Sequence, residues 1–238
     1  YIALDDSADD LLIGLGSTVG TTPAISIDEN LAVKTYGDIT MTGTTPVLTI
    51  GDAGEEDTAI VFDGNAQDFH IGLDDSSDSL TIGLGSTLGT TSHIVIDEAG
   101  HVTMPLQCAF SAYKSGATTH DSGDVTVPYS VEQFDLNANY NSGTYVFTAP
   151  VTGKYFLSAN MQHQNISDEY MSFNFKSSNR EWPIMHEIGA VTGEIGTATN
   201  HVLIDMDASD TVHVEANSQS DTSWTARAGG SFSGWLVA

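Results

Sequence analysis

A long internal repeat constrains this chain more than any other feature. Residues 1–29, YIALDDSADDLLIGLGSTVGTTPAISIDE, return 69 positions later as 70–98, HIGLDDSSDSLTIGLGSTLGTTSHIVIDE, with 20 of 29 positions identical. Shorter echoes accompany it. Gly37-Asp-Ile-Thr-Met41 resembles Gly100-His-Val-Thr-Met104, and Val47-Leu-Thr-Ile-Gly51 echoes Leu80-Thr-Ile-Gly83. Self-similarity of this kind points to stacked units that share a continuous core. Each unit predicts short strands, as at Ile2–Leu4, Leu11–Ile13 and Ile25–Ile27. Asp-, Ser- and Gly-rich turns separate them, and no 3.6-residue apolar period is sustained. Such short strands bury little alone, whereas three chains wound together can build a core. The expectation for residues 1–105 is therefore a slender trimeric β-stalk, with repeat units at about 1–43 and 70–105. A single-chain β-solenoid is the alternative.

Composition changes near Met104-Pro105. Residues 1–105 hold 18 acids and one base, Lys34, while 106–238 hold 14 acids and 5 bases. All three Trp and seven of nine Phe lie in the second part. Two structural units follow, 1–105 and 106–238. The formal net charge of −26 argues against nucleic acid, where affinity comes from Lys and Arg, and against anionic membrane surfaces. No apolar run reaches the ~18 residues of a membrane span. The single cysteine, Cys108, cannot form an intrachain disulfide, which fits a reducing compartment or an extracellular protein stabilised by oligomerisation. A start at Tyr1 without Met or signal pattern reads as a fragment or processed product.

The second part predicts longer strands at Phe110–Tyr113, Tyr145–Phe147, Lys154–Ser158, Tyr170–Phe175, His201–Asp205, Thr211–Glu215 and Ser231–Val237. Most alternate large apolar with small or polar residues, as half-buried antiparallel strands do. The fold class is all-β, with a sandwich or jelly roll after residue 106.

Seven spaced residues, Tyr129, Asp135, Tyr140, Phe147, Gly153, Tyr155 and Leu157, carry a resemblance. With end strands Ala109–Tyr113 and Ser231–Val237, they make residues 106–238 similar to the C1q-like head, a relative of the tumour-necrosis-factor jelly roll. Tyr129 stands where Phe is usual, and Leu157 where an aromatic is usual. The resemblance implies a ten-stranded jelly roll that trimerises. Gly153, after Pro150-Val-Thr, is expected in a tight turn at positive φ. The Asp-rich repeats leading into such a head resemble bacteriophage tail-fibre or virion-appendage proteins. No Gly-X-Y stalk is present.

Catalytic signals are weak. The spacings Gly14-x-Gly16-x-x-x-Gly20 and Gly83-x-Gly85-x-x-x-Gly89 are not dinucleotide fingerprints, there is no G-x-S-x-G elbow, and Cys108 has no recognisable partner. Clusters Asp5, Asp6, Asp9, Asp10 and Asp74, Asp75, Asp78 offer hard oxygens to Ca²⁺ but lack the EF-hand spacing, as does Asp205-x-Asp207-x-x-Asp210. The eight His do not pair at metal-ligand spacing. No cofactor is expected, with weak Ca²⁺ binding the one exception considered.

By family analogy, the connections Lys176–Asn200 and Asn217–Gly230 are expected as loops at the tip. They hold Arg180, Trp182, His186, Trp224 and Arg227, and Trp and Arg are enriched at binding hot spots. The expectation is a non-enzymatic, extracellular homotrimer, a phage tail-fibre or virion appendage. These five residues would take a host cell-surface glycan or protein, with other virion proteins as partners. A purely structural filament with the head as trimerisation clamp is the alternative, and a bacterial adhesin a third.

Overall fold

The computed structural model describes residues 1–121, 123–166, 171–178, 181–186, 191–218 and 223–238, giving the backbone alone at 181–186, 191, 192 and 194. The chain forms two compact units, Tyr1–Asp52 and Ala53–Ala238.

The first unit is an antiparallel meander of β1 (Ile2–Asp5), β2 (Asp10–Gly14), β3 (Pro23–Ile27) and β4 (Val33–Thr35), in chain order. The second unit begins with the matching meander, extended by one strand: β5 (Thr58–Phe62), β6 (Phe69–Asp74), β7 (Ser79–Leu84), β8 (Ser92–Ile96) and β9 (Val102–Thr103). Consecutive antiparallel strands joined by turns differ from the stacked coils of a solenoid. Val47–Gly51 lies outside any strand despite its echo of β7.

Register in these sheets follows the hydrophobic pattern, since a one-residue slip would move every apolar side chain to the other face. In β5–β8, Ile60 pairs Ile71, Ile71 pairs Ile82, and Ile82 pairs Ile94. The next row runs Leu73, Leu80, Ile96, Val102. The first unit repeats both rows, as Ile2–Ile13–Ile25 and Leu4–Leu11–Ile27–Val33. The opposite faces carry His70, Asp74, Ser79 and Thr81 in one sheet and Leu12 and Ser26 in the other, all buried.

The Asp-rich turns close through their own carboxylates. Asp5 Oδ1 accepts from Ser7 N–H at 3.1 Å and Ser7 Oγ at 2.6 Å, which holds its carboxyl below the usual range. Ser76 Oγ donates to Asp74 Oδ1 at 2.7 Å, with the same effect on Asp74. Gly89 has φ +74° and rests against Asp74 Oδ2, where a Cβ would sit at 2.7 Å. Gly20, φ +87°, does the same over Asp5.

After β9 the chain turns and enters a two-sheet sandwich. Its strands are β10 (Ala109–Tyr113), β11 (Thr118–His120), β12 (Gly123–Thr126), β13 (Val131–Leu136), β14 (Tyr140–Asn141), β15 (Val146–Thr148) and β16 (Gly153–Ile166). Then come β17 (Met171–Ser177), β18 (Glu181–His186), β19 (Val191–Met206), β20 (Thr211–Ser218), β21 (Trp224–Ala226) and β22 (Ser231–Leu236). One sheet runs β11-β21-β16-β22-β10-β13 with β19 on the other side of β16. The second runs β14-β15-β20-β17-β18 with β12 also on β20. This is the all-β jelly roll expected, although its chain is divided into thirteen described strands rather than ten.

The core explains the spaced residues. Phe110 stacks on Tyr140 (4.9 Å) and Phe147 (4.8 Å) and meets Phe232 edge-on at 4.9 Å. Such aromatic pairs add to plain area burial. Tyr129 O–H donates to Asn160 O at 3.0 Å and Tyr140 O–H to Tyr129 O at 2.8 Å, so neither buried hydroxyl lacks a partner. Burial raises the pKa of both. Asp135 accepts N–H bonds from Asn139 and Tyr140, which is why a short side-chain acceptor stands there. Gly153 is not at positive φ. It is required for close approach instead, because a Cβ would lie 2.7 Å from both Ala238 O and Leu236 Cδ1.

Candidate functional site

Strand directions fix which connections share an end of the sandwich. Ala109, where the chain enters, pairs with Trp235, where it leaves. Gly153 and Lys154 adjoin Ala238 at this entry end. β16 runs away from it and β19 returns, Gly153 pairing Met206 and Ile166 pairing Val191. β20 runs away again, and β17 pairs it antiparallel, Met171 with Ser218 and Ser177 with Val212. The connection after Phe175 therefore turns back at the entry end, where Ser178 Oγ donates to Asp210 Oδ1 at 2.8 Å.

This corrects the expected tip loop at Lys176–Asn200. Most of that stretch is strand, β18 and the first part of β19. Trp182 pairs Phe175 toward the entry end, while His186 pairs Met171 at the far end. Arg180 lies outside the described residues. In the second stretch, Asn217–Gly230, β21 pairs His163 and Gln164 near the far end of β16. Trp224 has no exposed surface and tilts against His120 at 5.1 Å, so it supports this end from within and offers no face to a partner. Arg227 is half-buried and donates from Nη1 to Gln164 Oε1 at 2.5 Å. The four described residues thus do not converge: His186, Trp224 and Arg227 lie toward the far end and Trp182 toward the entry.

Sequence reasoning missed a polar chain beneath the far end. Lys114 is buried, 2 % exposed, and donates from Nζ to Thr118 Oγ1 at 2.9 Å. Thr118 Oγ1 lies 2.7 Å from His120 Nε2. Burial lowers the pKa of Lys114, and burial with the Lys114 charge lowers that of His120. No sequence signal marks this set, because its members belong to no motif.

The sandwich also presents a flat apolar row. Leu136 pairs Ala109, Ala109 pairs Trp235, Trp235 pairs Phe156 and Phe156 pairs Leu203, spanning five strands. Leu136 (39 %), Trp235 (45 %) and Leu203 (57 %) remain exposed, and the Phe156 and Trp235 rings lie 4.7 Å apart. Beside it runs a polar row of Ser111, Ser233, Ser158 and His201. The opposite sheet holds a charged set in which Lys176 Nζ meets the Glu215 carboxylate at 3.1 and 3.2 Å. His213 Nε2 is 3.9 Å from Glu215.

Among the described residues, no group of three His, Cys, Asp or Glu is placed to hold a metal ion. No described helix is long and apolar enough to cross a membrane. Cys108 is buried, and burial, aided by the Asp135 charge, pushes its thiol up to about 11.

No curated protein matches the chain. Among solved structures, the globular domain of zebrafish complement 1qA protein is similar at 16 % identity and TM-score 0.47, covering 56 % of this chain and 98 % of that one. Murine APRIL at pH 8.5 shows 10 % identity and TM-score 0.40, covering 55 % and 99 %. The PRD1 vertex protein P5 shows 11 % and 0.42, covering 56 % and 99 %. The C1q domain family matches residues 109–237. With that match spanning more than half of the chain, and with the aromatic core and end strands in place, the chain belongs to the C1q domain family.

Proposed function

We propose that this chain is a non-enzymatic subunit of a homotrimeric extracellular fibre, with the C1q domain as its head and the repeats as its stalk. The carrying observation is the exposed in-register row from Leu136 through Trp235 and Phe156 to Leu203. A contiguous apolar strip on a soluble sheet marks an interaction surface. Trimerisation suits a family whose domains associate in threes and are typically secreted. The finer reading is a phage tail-fibre or virion appendage that binds a host-surface glycan or protein through the far end of the head. His186, Arg227 and the buried Lys114–Thr118–His120 chain belong to that end, and three copies would give avidity.

A second reading makes the head a trimerisation clamp with no receptor. The burial of Trp224 and the scatter of the four described residues favour it. Alanine changes at His186 and Arg227 separate the two, with trimer melting and adhesion to host cells measured together. Adhesion lost with assembly intact supports the receptor head. Adhesion unchanged in both variants, with folding intact, removes it.

A further inference from the structure

The second stalk sheet inverts the usual relation between polarity and exposure. In β5–β9 the buried face carries His70, Asp74, Ser79 and Thr81, while Ile60, Phe62, Phe69 and Leu73 are each at least 43 % exposed on the other. The first unit repeats the exposed apolar rows, with Ile2 and Leu4 both at 75 %, while its buried face pairs Leu12 at 4 % with Ser26 at 2 %. Exposed apolar residues scattered singly need no account, but contiguous rows do.

We infer that each of these two apolar faces is closed by the equivalent face of two further copies of this chain. The inference rests on the homotrimer proposed above and deepens it. Two observations choose the occupant. The same Ile and Leu rows appear in both repeats at matching register, so one chemistry is presented twice along the chain. The faces are apolar and uncharged, built of Ile and Leu with Phe62 and Phe69, and carry no Trp or Arg. That is the composition of an obligate homo-oligomer core cut open. An anionic lipid surface is a poorer occupant, because the polar surroundings carry most of the 18 acids of residues 1–105.

Single cysteines test the inference in the full chain. Ile13→Cys, Ile82→Cys and, as a control in an exposed turn, Ser86→Cys are each made with Cys108→Ser. Mass by sedimentation and interchain disulfide trapping under mild oxidation are read together. The expected result is a trimer in which Ile13→Cys and Ile82→Cys each trap a dimer band and Ser86→Cys does not. A trimer without trapping at either position overturns this inference and leaves the homotrimer standing. A monomeric mass for the unsubstituted protein overturns both. Should a cysteine variant fail to assemble, Ile82→Asp is compared with Ser86→Asp. A lower assembly midpoint for Ile82→Asp alone supports the closed face, and equal midpoints overturn it.

Discussion

Trp235→Ala isolates the head's share of assembly. Trp235 lies at the middle of the exposed row, and its described ring contact is Phe156 at 4.7 Å. Aromatic side chains carry roughly 150–250 Å², so a residue 45 % exposed leaves about 100 Å² to be covered on assembly. At ~25 cal/mol per Å² this is about 2.5 kcal/mol per subunit and about 7 kcal/mol per trimer. These values are upper bounds, because they take the whole remaining area as covered. They correspond to a shift of up to five orders of magnitude in the trimer dissociation constant, at ~1.4 kcal/mol per tenfold. The assay is a dilution series by analytical ultracentrifugation in a fixed, sub-denaturing urea concentration, with Trp235→Ala compared to the unsubstituted protein. Trp235→Ala also gives up the area already buried in the monomer and the Phe156 ring contact, so the urea concentration is set below the unfolding transitions of both proteins, checked by melting. Superimposable dissociation curves for the two proteins would refute the argument that this row is covered in the assembly.

Gly196→Ala should destabilise the head by about 1–3 kcal/mol, since a Cβ there would lie 2.2 Å from the His163 ring; thermal melting with unchanged trimer mass checks it. Burial, and then the Lys176 charge, outweigh Glu215 to hold the His213 pKa below 6.5. The neutral ring is favoured in the fold, so its stability contribution is whole above about pH 6.5 and is lost as pH falls toward the lowered folded value. His213→Gln should flatten urea-melt stability against pH in that window, and an unchanged slope would contradict the assignment. Lys176→Met leaves the nearly buried Glu215 carboxylate without its ammonium partner and should cost about 1–3 kcal/mol in denaturant unfolding. Cys108, with its thiol pushed up to about 11, should resist alkylation at pH 8 in the folded protein and react fully in urea; rapid labelling without denaturant would count against its burial.

The head was legible because its signature residues do local, spacing-dependent work. Asp135 ties down the turn before Tyr140, while Phe147 and Tyr155 face the same aromatic core. Strand direction was less legible. Pro183 disguised β18, although proline is tolerated there because β18 is the outer edge of its sheet. Gly193, at φ +78°, and Gly196 similarly disguised β19 as a loop. Overlooking this hairpin reversed the assignment of Trp182 to an end of the head. Trp224 misled for a different reason. A hot-spot composition says nothing about which way a side chain points, and this indole fills the interior. Gly153 was correctly singled out, but for its turn conformation; the actual demand, room for the C-terminal strand, arises from residues 80 or more positions away.

The near-identity of the two repeats sets a problem of alignment. In a trimer, the Ile rows of the first unit would accept those of the second almost as readily as their own, because the rows match residue for residue. Three chains could then pair 69 residues out of step, closing each overlapping face nearly as well as in the correct assembly while leaving the others open. The row through Trp235 and Phe156 has no second copy in the sequence. A head that associates first through a unique surface would bring three chains together at one fixed point, and the stalk could close from there toward Tyr1 in a single frame. Order of assembly, as well as strength, would then decide whether such a fibre forms without misthreaded products.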